Sequence, residues 1–337
     1  MDPAAVSLIP EAQRECAREA LDEVSGNRAL SLEPLAGGAS GALKYRVDTR
    51  SRCLLLRIET RMGALRNPHQ YRCMAIAAEA GIAPTVRFLD EERGVVVMDF
   101  IESASLSDHP GGSEGLVVAA AELTRRLQAT HAFPELLTYR ALLERMLDSV
   151  CTSGRFADGL LDPHVDAFAR ISAAYPFDAS PRVSSHNDPN RHNLLFDGQR
   201  LWLIDWETAY RNDPLTDVAI LAENLAATPE LERHLLRAWH GGPSAPELEA
   251  RLHLMRLLTR LYYAGLVLAP RDARAVEPDD SLEALGPEEL TVRVSTGELV
   301  LGTPAFLHAL GKMFLAGFLE GARGTPCTAA LDVLGGR

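Results

Sequence analysis

The chain has 337 residues, 47% hydrophobic and 24% charged, the balance of a soluble globular protein with material for two domains or lobes. A net charge of −12, with lysine confined to Lys44 and Lys312 and no Lys/Arg run, excludes the basic face of a nucleic-acid binder. Five scattered cysteines without a C-x-x-C pair argue against a disulfide framework or a cysteine zinc site.

Taken in chain order, apolar positions at helical spacing predict a helix over Pro10–Val24, after an acidic opening that lacks the apolar centre of a secretory leader. The Gly-rich stretch Gly37-Gly38-Ala39-Ser40-Gly41 precedes two strand-like runs, Leu43–Val47 and Cys53–Ile58. A helix over Gln70–Ala80 is ended by Gly81 and Pro84, and strands Thr85–Leu89 and Gly94–Phe100 flank the turn Asp90–Arg93. Beyond Glu102 the pattern is helical over Glu114–His131, Tyr139–Val150, Pro163–Ala174, Pro214–Ala227, Ala245–Leu268 and Thr303–Gly321, interrupted by a β insert at Val183–Asp205. Pro270–Gly302, rich in Pro, Asp, Glu and Gly, is expected to be a surface connection or lid. No apolar stretch approaches the ~20 residues of a membrane span, so a cytoplasmic location is expected, with no membrane and no nucleic-acid partner.

The densest polar cluster runs from Ser184 through His186-Asn187-Asp188 to Asn190-Arg191-His192-Asn193. Leu194-Leu195-Phe196, an Asp197-Gly198 turn and Leu201–Ile204 follow, so a hairpin would fold Asp205 back beside Asn193. Three oxygen-bearing side chains, Asp188, Asn193 and Asp205, then converge where a hard cation such as Mg²⁺ could sit. A rival reading takes His186, Asp188 and His192 as ligands of a Zn²⁺ or Fe²⁺ hydrolase, but it wants a third His or acid in place of Asn193 and leaves the glycines unexplained.

His186-x-Asp188-x-x-x-x-Asn193 followed by Ile204-Asp205-Trp206-Glu207 resembles the catalytic loop and metal-binding segment of the choline/ethanolamine kinase and aminoglycoside phosphotransferase family. The resemblance also takes in Gly37–Gly41, the Arg57 strand, the Leu127–His131 segment and Asp213–Asp217, covering residues 30–225. It implies an α+β, protein-kinase-like two-lobe fold. A small β-sheet N-lobe with one main helix (residues 1–102) binds nucleotide, and a larger helical C-lobe (103–337) carries the catalytic loop and the substrate. ATP and Mg²⁺ are the implied cofactors. Asp188 meets the attacking hydroxyl, Asn193 and Asp205 hold Mg²⁺, and His186 and Asp217 brace the loop, although Asp217 also fits plain helix-start stabilisation after an Asp213 cap.

For the nucleotide, Gly37, Gly38 and Ser40 are expected to cradle phosphates, Arg57 to pair with them, and Asp99 and Ile101 to complete the contacts at the joint between the lobes. Relatives usually carry Glu about where Gln70 stands, which leaves Glu59, Glu79 or the nucleotide itself to hold Arg57. The implied partner is a small-molecule hydroxyl substrate with a cationic head group. Trp206, Glu207, Tyr210 and Tyr262 are its candidate contacts, with Glu223 a further acid, although aromatics at helical spacing more often belong to a core. The expected activity is ATP-dependent phosphorylation of a small-molecule hydroxyl, choline or ethanolamine first. An amino sugar, thiamine or an aminoglycoside follows, and a pseudokinase binding module stands as the alternative class.

Overall fold

A computed structural model describes residues 9–25, 29–35, 42–59, 67–179, 181–268 and 279–335. They divide into two compact units, one of residues 1–134 and 184–211, the other of 135–183 and 212–337.

The first unit is built on a five-stranded antiparallel sheet in the order β1-β2-β3-β5-β4. Helix α1 (Glu11–Ser25) precedes β1 (Ala29–Pro34), β2 (Leu43–Thr49) and β3 (Cys53–Ile58); α2 (Gln70–Glu79) precedes β4 (Val86–Asp90) and β5 (Val95–Asp99). Period-two alternation gives the central strands two distinct faces. On one, Tyr45, Val47, Leu54, Leu56, Ile58, Val95 and Val97 form a core with Cys16, Ala17, Ala20 and Leu21 of α1. On the other face stand Lys44, Leu55, Arg57 and Met98, because Lys44 lies opposite Arg57, Arg46 opposite Leu55, and Leu55 opposite Met98 in the register.

Gly94 opens β5 at φ 66°, and a Cβ there would fall 2.8 Å from the Cβ of Glu59, so this close approach requires glycine.

Residues 103–134 and 184–211 group with this sheet. The reason lies in the backbone pairing. Ala104 N donates to Phe196 O at 2.8 Å and Leu203 N to Ile82 O at 3.0 Å, while Arg126 reaches the Ala80 carbonyl at 3.1 Å. Helix α3 (Gly112–Gln128) belongs here too.

The second unit contains α4 (Tyr139–Cys151), α5 (Asp162–Ala174), α6 (Leu215–Leu225), α7 (Pro229–His240), α8 (Pro246–Leu268), α9 (Pro287–Ser295), α10 (Pro304–Arg323) and α11 (Thr325–Gly335). Helix α8 is apolar on most of its circumference and packs against α4, α6, α10 and α11, as a central helix must. Gly265 lets α8 approach Met146 of α4, where a Cβ would clash at 2.6 Å. Charged clamps add specificity. Glu223 accepts from Arg256 Nε at 2.7 Å and Arg260 Nε at 2.9 Å. Asp279 accepts from Lys312 at 2.6 Å and His308 at 3.0 Å; burial alone would raise its carboxyl, but these partners and the Ser281 amide hold it at about 2.

Among the described residues, β1, α7, α9 within the stretch expected as a connection, and α11 go beyond the sequence expectation, as does a short strand at Tyr210–Asn212. Among the described residues no helix is long and apolar enough to cross a membrane.

Candidate active site

Strand β6 (Val183–Ser185) leads into the polar cluster, and β7 (Leu194–Phe196) and β8 (Leu201–Leu203) form the expected hairpin, with Leu194 opposite Leu203 and Phe196 opposite Leu201. The turn is closed by Asp197, whose Oδ1 accepts the Gln199 and Arg200 amides at 2.8 Å each. One step beyond the hairpin, Ile204 N donates to Asn193 O at 3.0 Å, which carries the chain from the end of the polar loop directly to Asp205.

The loop side chains are tied to one another. Asp188 Oδ1 accepts from Asn190 Nδ2 at 2.9 Å, and Asn193 Nδ2 donates to Asp188 O at 2.9 Å and Oδ2 at 3.3 Å. Committing the amide nitrogen of Asn193 in this way turns its Oδ1 into the acceptor that a hard cation would use. Among the described residues only Asn187 and Asp205 are non-glycine residues with positive φ, at 63° and 67°. Backbone held in the left-handed region at both ends of the segment that spans the polar loop and the hairpin is characteristic of a functional constraint. Asn187 is fixed by its own amide, which donates to Thr208 O at 2.9 Å and Tyr210 O at 3.2 Å, the latter in β9 (Tyr210–Asn212). Asn67 and Cys73 bind the Ala209 carbonyl at 2.6 and 3.2 Å, so α2 and the residues before it brace the turn that follows Asp205.

Arg57 is 8% exposed, and its Nη2 lies 3.3 Å from Asp205 Oδ1 and 3.6 Å from Glu59 Oε2. Its acid partners are thus Asp205 and Glu59, the latter two residues along the chain, just past the end of β3. Gln70, buried at the start of α2, supplies no charge. Glu207 keeps solvent access, but the surrounding protein and then the Asp205 and Glu59 carboxylates push its carboxyl upward, against Arg57 and Lys44.

A cavity of about 420 Å³ opens beside these groups and is lined by Lys44, Arg57, Asp99, Ile101, Asp205 and Trp206 among others. Asp99 borders it with a carboxylate already held by the fork of Arg87, at 2.8 and 2.7 Å. Gly37, Gly38 and Ser40 lie outside the described residues. Lys44 carries no sequence motif; the signal that could have marked it is the alternation with Tyr45 and Val47, which turns Lys44 to the Arg57 face.

The aromatic rings expected around a cationic substrate are buried. Trp206, Tyr210 and Tyr262 are 3–4% exposed. The Trp206 ring packs on His186 at 4.6 Å and edge-on to Phe133 at 6.0 Å, and Tyr262 packs on Tyr139 and Tyr263. Tyr210 and Tyr262 are buried in the core, Trp206 is buried but also borders the cavity beside Arg57, and Glu223 is committed to its two arginines. Asp217 is fully buried near the start of α6, while Asp213 accepts the Leu215 amide at 2.8 Å and bonds Tyr175 and Arg251 at 3.1 and 3.2 Å.

His192 is exposed, and among the described residues no three His, Cys, Asp or Glu side chains come together to hold a metal ion. His186 is fully buried and donates from Nε2 to Ile204 O at 2.9 Å. Burial lowers its pKa to about 4, against the Ile204 carbonyl and the charge of Asp205, which pull it up. The folded-state value lies below the ordinary 6.5, so the unfolded chain protonates first. The contribution is complete above pH 6.5 and is lost as pH falls towards 4, by about 3 kcal/mol. Urea denaturation of wild type and His186→Asn from pH 7 to pH 4 should show wild type falling more steeply by about that amount; parallel curves would mean that His186 is not buried neutral.

A model of the phosphotransferase enzyme family matches residues 31–253, more than half of the chain. The chain belongs to this family. The structure is similar to a choline/ethanolamine kinase family protein from Mesorhizobium loti, with 22% identity, a TM-score of 0.69, and 95% of this chain and 98% of the other covered. It is also similar to the choline kinase LicA from Streptococcus pneumoniae, at 16% identity, TM-score 0.64 and coverages of 91% and 99%. A spectinomycin phosphotransferase solved with ADP and spectinomycin matches at 12% identity, TM-score 0.55 and coverages of 89% and 98%. The fold is therefore kinase-like α+β. A stretch of 53 residues is 45% identical to an uncharacterised protein from Metamycoplasma hominis; it spans 15% of this chain and 11% of that relative.

Proposed function

We propose that the protein is a small-molecule kinase that transfers the γ-phosphoryl group of ATP to a hydroxyl. The observation that carries this reading is the loop in which Asn193 bonds Asp188 through its side chain and Ile204 through its backbone, bringing Asp188, Asn193 and Asp205 into one constellation beside the Arg57 cavity. Phosphoryl transfer needs positioning and neutralisation of charge more than covalent help. Nucleotide binding is supported by the family and by the structural relative solved with ADP.

The donor set fits Mg²⁺. Asn193 Oδ1 and the Asp205 carboxylate are hard oxygens, which would hold the ion and leave the rest of its shell to water and phosphate; bound there, Mg²⁺ supplies neutralisation of the β- and γ-phosphate charge. The remaining work falls to the chain. Asp188 accepts the proton of the attacking hydroxyl, Asn190 and Asn193 orient its carboxylate, and Arg57 adds a forked donor for phosphate oxygens. An amino alcohol of the choline or ethanolamine type leads as acceptor, supported by the likeness to a choline/ethanolamine kinase family protein and to a choline kinase; amino sugars, thiamine and aminoglycosides follow.

A coupled ADP-release assay with Mg·ATP against a panel of these acceptors should give acceptor-dependent turnover for one class. Tight ATP binding with no acceptor-dependent ADP from any of them would replace the kinase reading by a nucleotide-binding module.

Arg57→Ala should raise the Kd of Mg·ATP and lower kcat together, and Arg57→Lys should recover part of both, because an ammonium is a point charge without the bidentate fork. The alanine variant also removes the cation 3.6 Å from the buried Glu59 carboxylate, so its melting temperature should fall while that of the lysine variant holds. Unchanged constants in Arg57→Ala would remove the residue from the site.

A further inference from the structure

Resting on the nucleotide reading above, we propose that Lys44 is a second phosphate-binding cation of the cavity, acting beside Arg57 on the triphosphate of the bound nucleotide.

The register of β2 and β3 sets Lys44 directly opposite Arg57, and residues directly opposite in an antiparallel pair share a face. Both side chains border the same 420 Å³ cavity. Two like charges placed opposite each other on one face destabilise a sheet unless something anionic meets them. For Arg57 that need is met within the protein, by Asp205 and Glu59. For Lys44 it is met only at a distance: among the described residues its ammonium has no hydrogen bond and no ion pair, and the Glu207 carboxylate acts on it through charge alone. The contrast with the chain's other lysine is informative, since Lys312 is held by Asp279 at 2.6 Å.

A half-buried lysine without a close ion pair, on the face where an arginine is already committed to two carboxylates, can meet an anion brought in by a ligand. A compact ammonium with three rotatable donors suits an oligophosphate chain, because it follows whichever oxygens the loop and the arginine leave free. The division of labour follows from the geometry. Arg57 remains in contact with the acids of the site, and Lys44 contributes net positive charge.

The test is calorimetry with three probes, Mg·ATP, Mg·ADP and adenosine, on wild type, Lys44→Met, Lys44→Gln and Lys44→Arg. The two neutral variants should bind ATP and ADP about tenfold more weakly and adenosine as wild type does, and Lys44→Arg should recover most of the loss. Raising the salt concentration should weaken ATP binding less in Lys44→Met than in wild type, since one phosphate contact is missing. A loss that is equal for adenosine and ATP assigns Lys44 a structural role and overturns the proposal, as does unchanged ATP affinity in both neutral variants. Wild type that binds ATP while Lys44→Met matches it defeats this inference alone. Wild type that binds no nucleotide defeats the kinase reading, and this inference with it.

Discussion

Replacing Asp188 by asparagine is expected to lower kcat about 10³-fold while Mg·ATP still binds within a few-fold of wild type. The two expectations separate because the two jobs fall on different atoms. The Asp188 carboxylate is oriented by Asn190 Nδ2 at 2.9 Å and by Asn193 Nδ2 at 3.3 Å, and it is absent from the residues that line the cavity beside Arg57. Asparagine keeps the shape and one acceptor oxygen, so the loop should hold; what disappears is the anionic oxygen that takes the proton of the acceptor hydroxyl. A group that works only in the transition state lowers kcat and kcat/KM by the same factor, which steady-state kinetics with the acceptor varied will read directly. Unaltered melting of the variant guards against a folding effect. Retention of more than a tenth of wild-type kcat would take Asp188 out of the proton-transfer role.

The constellation around Asp188 was legible because it is local. Asp188, Asn193 and Asp205 lie within one loop and one hairpin, and the Asp197-Gly198 turn fixes which residues face each other before any tertiary contact forms. The central strands and the long helices were legible for the same reason, since Cys53–Ile58 and Tyr139–Cys151 carry their period in their own residues. Helix α7 was missed despite local signals of its own, a Thr228 cap on the Leu231 amide and Gly241 at its end. Only Leu235 and Leu236 of it are buried, so its apolar stripe is narrow. Helix α9 sits in a stretch whose Pro, Gly and acidic content reads as a connection, and it buries Leu290 alone.

What remained hidden depends on contacts between distant residues. The partner of Arg57 could not be chosen among Glu59, Glu79 and the nucleotide from sequence, because the choice is made by the fold, which sets Glu59 Oε2 3.6 Å from Arg57 Nη2. Lys44 needed the β2–β3 register to acquire meaning. Burial of the aromatic rings was likewise hidden. Trp206 and Tyr262 have the chemistry of a cation site, but whether such rings are exposed or buried is decided by what packs over them, and here His186, Phe133, Tyr139 and Tyr263 do.

Asp205 should be the residue whose loss separates nucleotide binding from Mg²⁺. In wild type, ATP is expected to bind more tightly when Mg²⁺ is present; in Asp205→Ala that enhancement should vanish, with Mg·ATP affinity reduced about 10²- to 10³-fold. The alanine variant has two other consequences. It removes the nearer partner of Arg57, leaving Glu59 at 3.6 Å, and it asks a residue with a plain Cβ to sit at φ 67°. Alanine tolerates the left-handed region poorly, at a cost of about 1 kcal/mol, whereas asparagine visits it readily. Asp205→Asn is therefore the more discriminating substitution: it keeps the backbone conformation and an oxygen towards Arg57, and it deletes only the charge. Titrating each variant with ATP in the presence and absence of Mg²⁺ by calorimetry should show both losing the metal enhancement, with Asp205→Asn melting close to wild type and Asp205→Ala lower. If Asp205→Asn keeps the full enhancement, the charge of Asp205 serves Arg57 rather than the ion, and the Mg²⁺ assignment at this carboxylate is wrong.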